Sequence, residues 1–205
     1  MWDEPPSLSQ PSRLSDLAQG LADITAGDAG FDRSVFMDQA RSAFFAVKQA
    51  IEAGDLSPVA GRLGGGVLAT LQGQVERLTE AHAVHHFEDL SIDGMAISRA
   101  GHGPEFDHVT VRFDARAAEY AVDEQSGRLV FGDEAVKPFI EYWTFSRQAG
   151  AASASPAAAP ACPNCGAPIA ADAGPTCRYC QAALPARQSF DWIVTAIQDP
   201  IDFQP

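Results

Sequence analysis

Apolar residues at Phe36, Ala40, Phe44, Val47 and Ile51 recur at steps of four, four, three and four, which places them on one face of a helix. Asp32 ahead of them is a good N-cap and Gly54 behind them a good stop, so the spacing predicts an amphipathic helix from Asp32 to Gly54. After a turn around DLSPVAG, Leu68, Leu71, Val75 and Leu78 predict a second helix over 67–86. Leu14, Leu17, Leu21 and Ile24 share helical spacing too, within an acidic stretch (1–30) carrying Pro5, Pro6 and Pro11. That stretch reads as a mobile acidic lead with at most a short helix, lying on its own core or docking on a partner.

From Phe87 the period falls to two. EDLSIDGMAISR, FDHVTVRFDA, RAAEYAVDEQSGRLVFGD and FIEYWTFSR alternate apolar and polar positions, with IDG and SGR as tight turns between strands of an antiparallel meander. Helices followed by a run of strands is the α+β order, in which a curved sheet covers its concave face with two to three helices. Residues 149–161, AGAASASPAAAPA, offer neither an apolar face nor charge and read as a linker between a larger domain at 31–148 and a small unit at 162–205.

All four cysteines lie in that small unit, as Cys162, Cys165, Cys177 and Cys180. Two C-x-x-C turns each present two sulfurs to one ion, and four thiolates at about 2.3 Å make a tetrahedral zinc shell. The same sulfurs would hold iron, and two disulfides would need an oxidising compartment, for which the chain carries no signal. A zinc enclosed by four cysteines has no open position for water or substrate, so its role is expected to be structural. Trp192, Ile193, Val194 and Ile197 are expected to form the strand that caps the knuckles of this zinc ribbon.

Composition narrows the partners. The 205 residues carry 27 acids against 14 bases, a formal charge of -13, which repels nucleic-acid phosphates and anionic membranes, so no nucleic acid is expected. No stretch reaches the roughly 18 apolar residues that cross a bilayer, and the start lacks the form of a secretion signal. The chain is therefore expected to be soluble, and its cysteines, if reduced, favour the cytoplasm.

Three passages carry a resemblance: the helix running F-x-x-x-A-R-x-A-F-F-x-V-K-Q-A-I-E-x-G-D, the strand and turn through Asp123 to Gly127, and Glu141-Tyr142-Trp143-Thr144-Phe145 with Arg147. Together they resemble the Tim44-like domain, the family of a mitochondrial inner-membrane import translocase subunit. Some bacterial relatives add a four-cysteine ribbon and an FDW-x-V ending, matched here by Phe190, Asp191, Trp192, Ile193 and Val194. The resemblance implies a cone-shaped α+β domain similar to the nuclear-transport-factor-two superfamily, with an apolar pocket between helices and sheet. It also implies a scaffold working peripherally at the inner membrane through a protein partner, a lipid or a hydrophobic segment, with no catalysis.

Phe36, Phe44, Phe113, Trp143 and Phe145 are the candidate pocket lining, and Glu141 shares the row of Trp143 on its strand. A carboxylate between Phe and Trp is either an ion-pair member, with Arg147 or Arg112 as its partner, or the acid–base group of a small enzyme acting on an apolar substrate. His82, His85 and His86 fall at metal-like helical steps but read as a solvated helix end, since no H-E-x-x-H pattern accompanies them. GRLGGG, without a preceding strand or a following Lys-Ser/Thr, reads as a joint between helices.

Overall fold

Asp32 accepts hydrogen bonds from the backbone N–H groups of Ser34 and Val35 at 2.7 and 3.0 Å, and this cap starts the central helix where the sequence places it. The computed structural model describes residues 10–151, 153, 164, 180–182 and 192–200. Its elements are α1 (Gln10–Gly27), α2 (Arg33–Glu52), a 3-10 turn (Ala60–Arg62), α3 (Gly65–Glu80), β1 (Ala83–His102), β2 (Phe106–Asp123), β3 (Leu129–Gln148) and β4 (Ile193–Gln198). The strands form one antiparallel sheet in the order β1-β2-β3-β4. Three helices on an open antiparallel sheet match the expected α+β class.

The anticipated face of α2 is the one buried: Phe36, Ala40, Phe44, Val47 and Ile51 meet Val109, Val111, Phe113 and Trp143 of the sheet in a single core. Gly54 sits at φ +67°, the left-handed conformation that ends the helix. GRLGGG proves to be a helix start rather than a slack joint. Gly64 is the N-cap of α3, and its N–H donates to the Val194 carbonyl at 2.8 Å.

Several boundaries differ from the sequence reading. Helix α3 stops at Glu80, not at 86: His82 takes φ +48°, and β1 begins at Ala83, where Val84 and His85 pair with Val122 and Ala121. The IDG triplet is not a turn. Strand β1 runs through it with a register shift between Ile92 and Gly94, and β2 and β3 are likewise long continuous strands. SGR does turn the chain, with Gly127 at φ +68° and the Asp123 N–H bonded to the Arg128 carbonyl at 2.9 Å. In β3, Ala117 faces Lys137 but Glu119 faces Asp133, so Glu134, Ala135 and Val136 stand opposite Ala118 alone and bulge from the ladder.

Two segments expected outside the larger domain pack into its core. Residues 10–27 are not a detached lead, because α1 lies along β1 with Ile24 fully buried and Leu17 and Leu21 against the core. At the other end, Ile193–Gln198, expected to cap the cysteine knuckles, pairs with β3, Tyr142 opposite Gln198 and Ser146 opposite Ile193, while Trp192 and Val194 enter the main core. An alternating apolar run fits any open sheet edge, and here it joins the edge of β3. The cysteine segment is thus an excursion between β3 and β4. Apart from Asn164 and the stretch 180–182, residues 154–191 lie outside the described ones, and so do Cys162, Cys165, Cys177 and the proposed knuckles.

Gly20 explains how close α1 lies to the sheet. A Cβ at this position would sit 2.1 Å from the Ala100 carbonyl oxygen, a backbone atom that cannot swing aside. Gly20→Val is expected to lower stability by about 1–3 kcal/mol through overpacking, read as a reduced urea midpoint with an unchanged slope. An unchanged midpoint would mean that α1 is not docked on β1 in solution.

Candidate functional site

The aromatic residues singled out in the sequence all converge. Phe44 stacks on Phe113 at 4.7 Å between centroids and meets Trp143 at 5.3 Å, while Phe36 touches Phe145 edge-on at 5.5 Å. Trp143 and Phe145, 6.5 Å apart, join the two groups. All five are 2% exposed or less, so each ring has its neighbours' rings as its surroundings.

Glu141 lies beside this cluster and is an ion-pair member, though neither proposed arginine is its partner. One carboxylate oxygen accepts from the Lys48 ammonium at 2.6 Å and the other from the Trp143 indole N–H at 2.9 Å. Lys48 projects from α2 between the rings of Phe44, Phe87 and Phe139, 4.9 to 5.5 Å from their centroids. Arg112 instead pairs with Asp114 on its own strand at 2.6 Å, half-exposed.

Arg147 anchors a second polar cluster at the opposite end of the sheet. Its guanidinium, 1% exposed, donates to Asp28 at 2.7 Å, to the Ser153 hydroxyl at 2.8 Å and to Asp107 at 3.2 Å, and its flat face lies 4.6 Å from the Trp192 ring. Asp107 also contacts His102 Nδ1 at 2.6 Å. Burial pushes the Asp28 carboxyl up, but hydrogen bonds from Ser153, Arg147 and Gly30 outweigh it and hold Asp28 below the ordinary carboxylate value. The sequence offered Arg147 as a candidate partner for the wrong acid. Asp28, 119 residues away, carried no local signal.

The three histidines do not share a helix face. His86 is half-buried, 3.6 Å from Glu52 and stacked near Tyr120, whereas His85 is buried against Phe87 and Phe131. Glu119 approaches His85 Nε2 to 3.3 Å without hydrogen-bond alignment, and neither ring nitrogen of His85 has a hydrogen-bond partner. Contact with His85 nonetheless keeps the Glu119 carboxyl below its ordinary value, against the opposing effect of burial. Among the described residues no group of three or more His, Cys, Asp or Glu is arranged to hold a metal. Cys180 is half-buried.

Glu119 forms one lip of a groove of about 450 Å³ at the bulge of β3, where Ala117, Gly132, Ala135, Pro138 and Phe139 supply the apolar wall. The sequence reading missed this groove because the bulge that opens it has no turn signature. A sequence model of the Tim44-like domain matches residues 17–156, more than half of the chain. The chain belongs to the Tim44-like family.

The matched span takes in most of α1, which agrees with the docking of that helix, and it ends before β4. Comparison with curated proteins finds no match. Among solved structures, the intermembrane space region of the chloroplast protein ARC6 aligns with a TM-score of 0.36 at 10% identity, over 56% of this chain and 96% of that one. A similarity this low leaves the assignment resting on the family match. Among the described residues of this Tim44-like protein, no helix is long and apolar enough to cross a membrane.

Breaking the Arg147 cluster of the Tim44-like domain leaves two buried carboxylates without their cation. Arg147→Leu is expected to cost about 3–5 kcal/mol at neutral pH, read by urea unfolding. Because the folded pKa of Asp28 lies below its ordinary value of 3.8, its contribution is present above that pH and is lost as the pH falls through the folded value. Asp28→Asn should therefore lower stability at neutral pH and flatten the loss below about pH 4. A mutant curve parallel to wild type there would show Asp28 outside the cluster.

Proposed function

We propose that this Tim44-like protein is a non-enzymatic scaffold, an adaptor that works at a membrane surface by binding a protein partner, a lipid or an apolar segment. The family match over residues 17–156 carries the proposal. The chemistry around Glu141 fits it: the carboxylate accepts from Lys48 with one oxygen and from the Trp143 indole with the other, as a structural ion-pair member does. The net charge of -13 argues that anionic lipid does not attract the chain directly, and a partner brings it to the membrane. The five aromatic rings are the pocket in this proposal. An apolar cargo reaches them only by parting α2 from the sheet, which favours partners that bind at the surface.

Glu141→Gln tests the reading. The variant keeps a side chain that accepts hydrogen bonds but strips Lys48 of its counter-charge, and a loss of about 1–3 kcal/mol in unfolding free energy is expected. A hydrolase or isomerase activity found in the wild type and abolished in a fully folded Glu141→Gln variant would overturn the scaffold role.

Zinc is the proposed resident metal, held by Cys162, Cys165, Cys177 and Cys180, since four thiolates in two C-x-x-C turns suit its tetrahedral, redox-inert coordination. It would supply to the segment between β3 and β4 the stability that a unit of about 40 residues generally lacks on its own. Native mass spectrometry is expected to find one zinc per chain, lost in Cys165→Ser. Since Trp192 and Val194 anchor β4 in the core, amide protection over 193–198 should survive in that variant. Loss of the zinc together with β4 protection would tie the metal to the fold of the whole domain.

A further inference from the structure

The outer edge of β3 has two halves. Residues 142–146 are covered by β4, but along 129–138 no strand lies on that side among the described residues. The uncovered half is also where apolar side chains surface. Leu129, Val130, Phe131 and Val136 are between 43% and 48% exposed, four of the eight large apolar residues that stand out from the described surface. An exposed edge of this kind offers unpaired N–H and C=O groups beside apolar side chains, the combination that binds an added strand.

Charge selects the occupant. Over residues 117–138 the hairpin carries Glu119, Asp123, Glu124, Asp133 and Glu134 against Arg128 and Lys137. Lys137 is already bound to Asp133 at 2.5 Å. Glu119, beside the apolar groove, has a carboxylate half open to solvent and held in its charged form. A second copy of the chain would bring Asp133 and Glu134 against their own equivalents across an antiparallel pair, and an anionic membrane would meet the same negative field.

We propose that this edge docks an extended segment of another protein in which apolar and basic residues alternate. The segment extends the sheet along 129–133, sets its apolar side chains on the face of Phe131, and places a Lys or Arg on the other face against Glu134. The bulge at 134–136 sets the outer limit of pairing, and Pro138, which has no N–H, closes it. The inference rests on the scaffold reading and gives it a surface and a partner chemistry.

The test uses the full chain and a fluorescent peptide of about ten residues alternating Val and Lys, with a Val–Glu peptide of equal length as control. Anisotropy is expected to show binding of the Val–Lys peptide alone, weakened about tenfold or more between low salt and about 0.3 M salt. Hydrogen exchange should slow at amides within 129–133. A Val130→Lys/Glu134→Lys double variant, changed at exposed positions and checked for an unaltered unfolding midpoint, should bind at least about tenfold more weakly. Equal binding of both peptides, or binding of neither, overturns the proposal. So does wild-type dimerisation that the double variant abolishes. Protection that maps to another surface, such as α1, overturns the edge assignment but leaves the scaffold role intact, whereas enzymatic turnover lost in Glu141→Gln removes the scaffold role whatever the peptide does.

Discussion

A guanidinium withdrawn from water is stable only where carboxylates and a ring face replace its hydration, and Arg147 is such a group. Its partners come from widely separated parts of the chain: Asp28 just after α1, Asp107 on β2, Trp192 just before β4, and Ser153 beyond the end of β3. Two carboxylates against one guanidinium leave a surplus negative charge, and His102 Nδ1 lies 2.6 Å from Asp107 at the solvent side. Nη2 of Arg147 is buried without a hydrogen-bond partner. Such a cluster contributes less net stability than its bond count suggests, since desolvation takes back much of the gain. What it fixes is arrangement: a shifted α1 or an undocked β4 would leave a charge stranded.

This constraint gives the sheet two unlike ends. At the Arg147 end, α1, α2 and β4 close over the strands, and the aromatic pairs Phe36–Phe145 and Phe36–Trp192 continue the seal. At the other end β3 is exposed from Leu129 to Pro138, so side chains that would enter the core nearer the centre lie open to solvent. Lys48 and Glu141 lie between the two regimes. Buried among rings yet bound to one another, they form the last polar link before the sheet becomes exposed.

The sequence made α2 readable because its face is periodic, its cap is an Asp and its stop a Gly, all local features with local causes. The rows of β2 and β3 were readable for the same reason. What stayed hidden depends on contacts far along the chain. Nothing near Gly20 announces the Ala100 carbonyl, so α1 read as a detached lead; and Lys48, a polar residue amid an apolar face, gave no sign that its partner was Glu141, 93 residues on. The bulges were invisible because they turn on pairing register, which a single strand does not encode. Strand β4 was recognised as a strand but its pairing with β3 was not, since an alternating apolar run carries no label for the edge it will join.

The exposed half of β3 shows both protection and availability. A flat apolar edge invites random association, and this one is interrupted by Gly132 at φ +85°, by the bulge at 134–136, and by Lys137 and Pro138. Gly132 is obligatory there, because a Cβ would lie 2.3 Å from the Glu119 carbonyl oxygen. The interruptions limit how long a partner strand can pair, and the surrounding carboxylates discourage a second copy of so acidic a chain. A short, charge-matched segment escapes both restrictions. Selectivity at this edge therefore arises from what the hairpin repels as much as from what its apolar side chains attract.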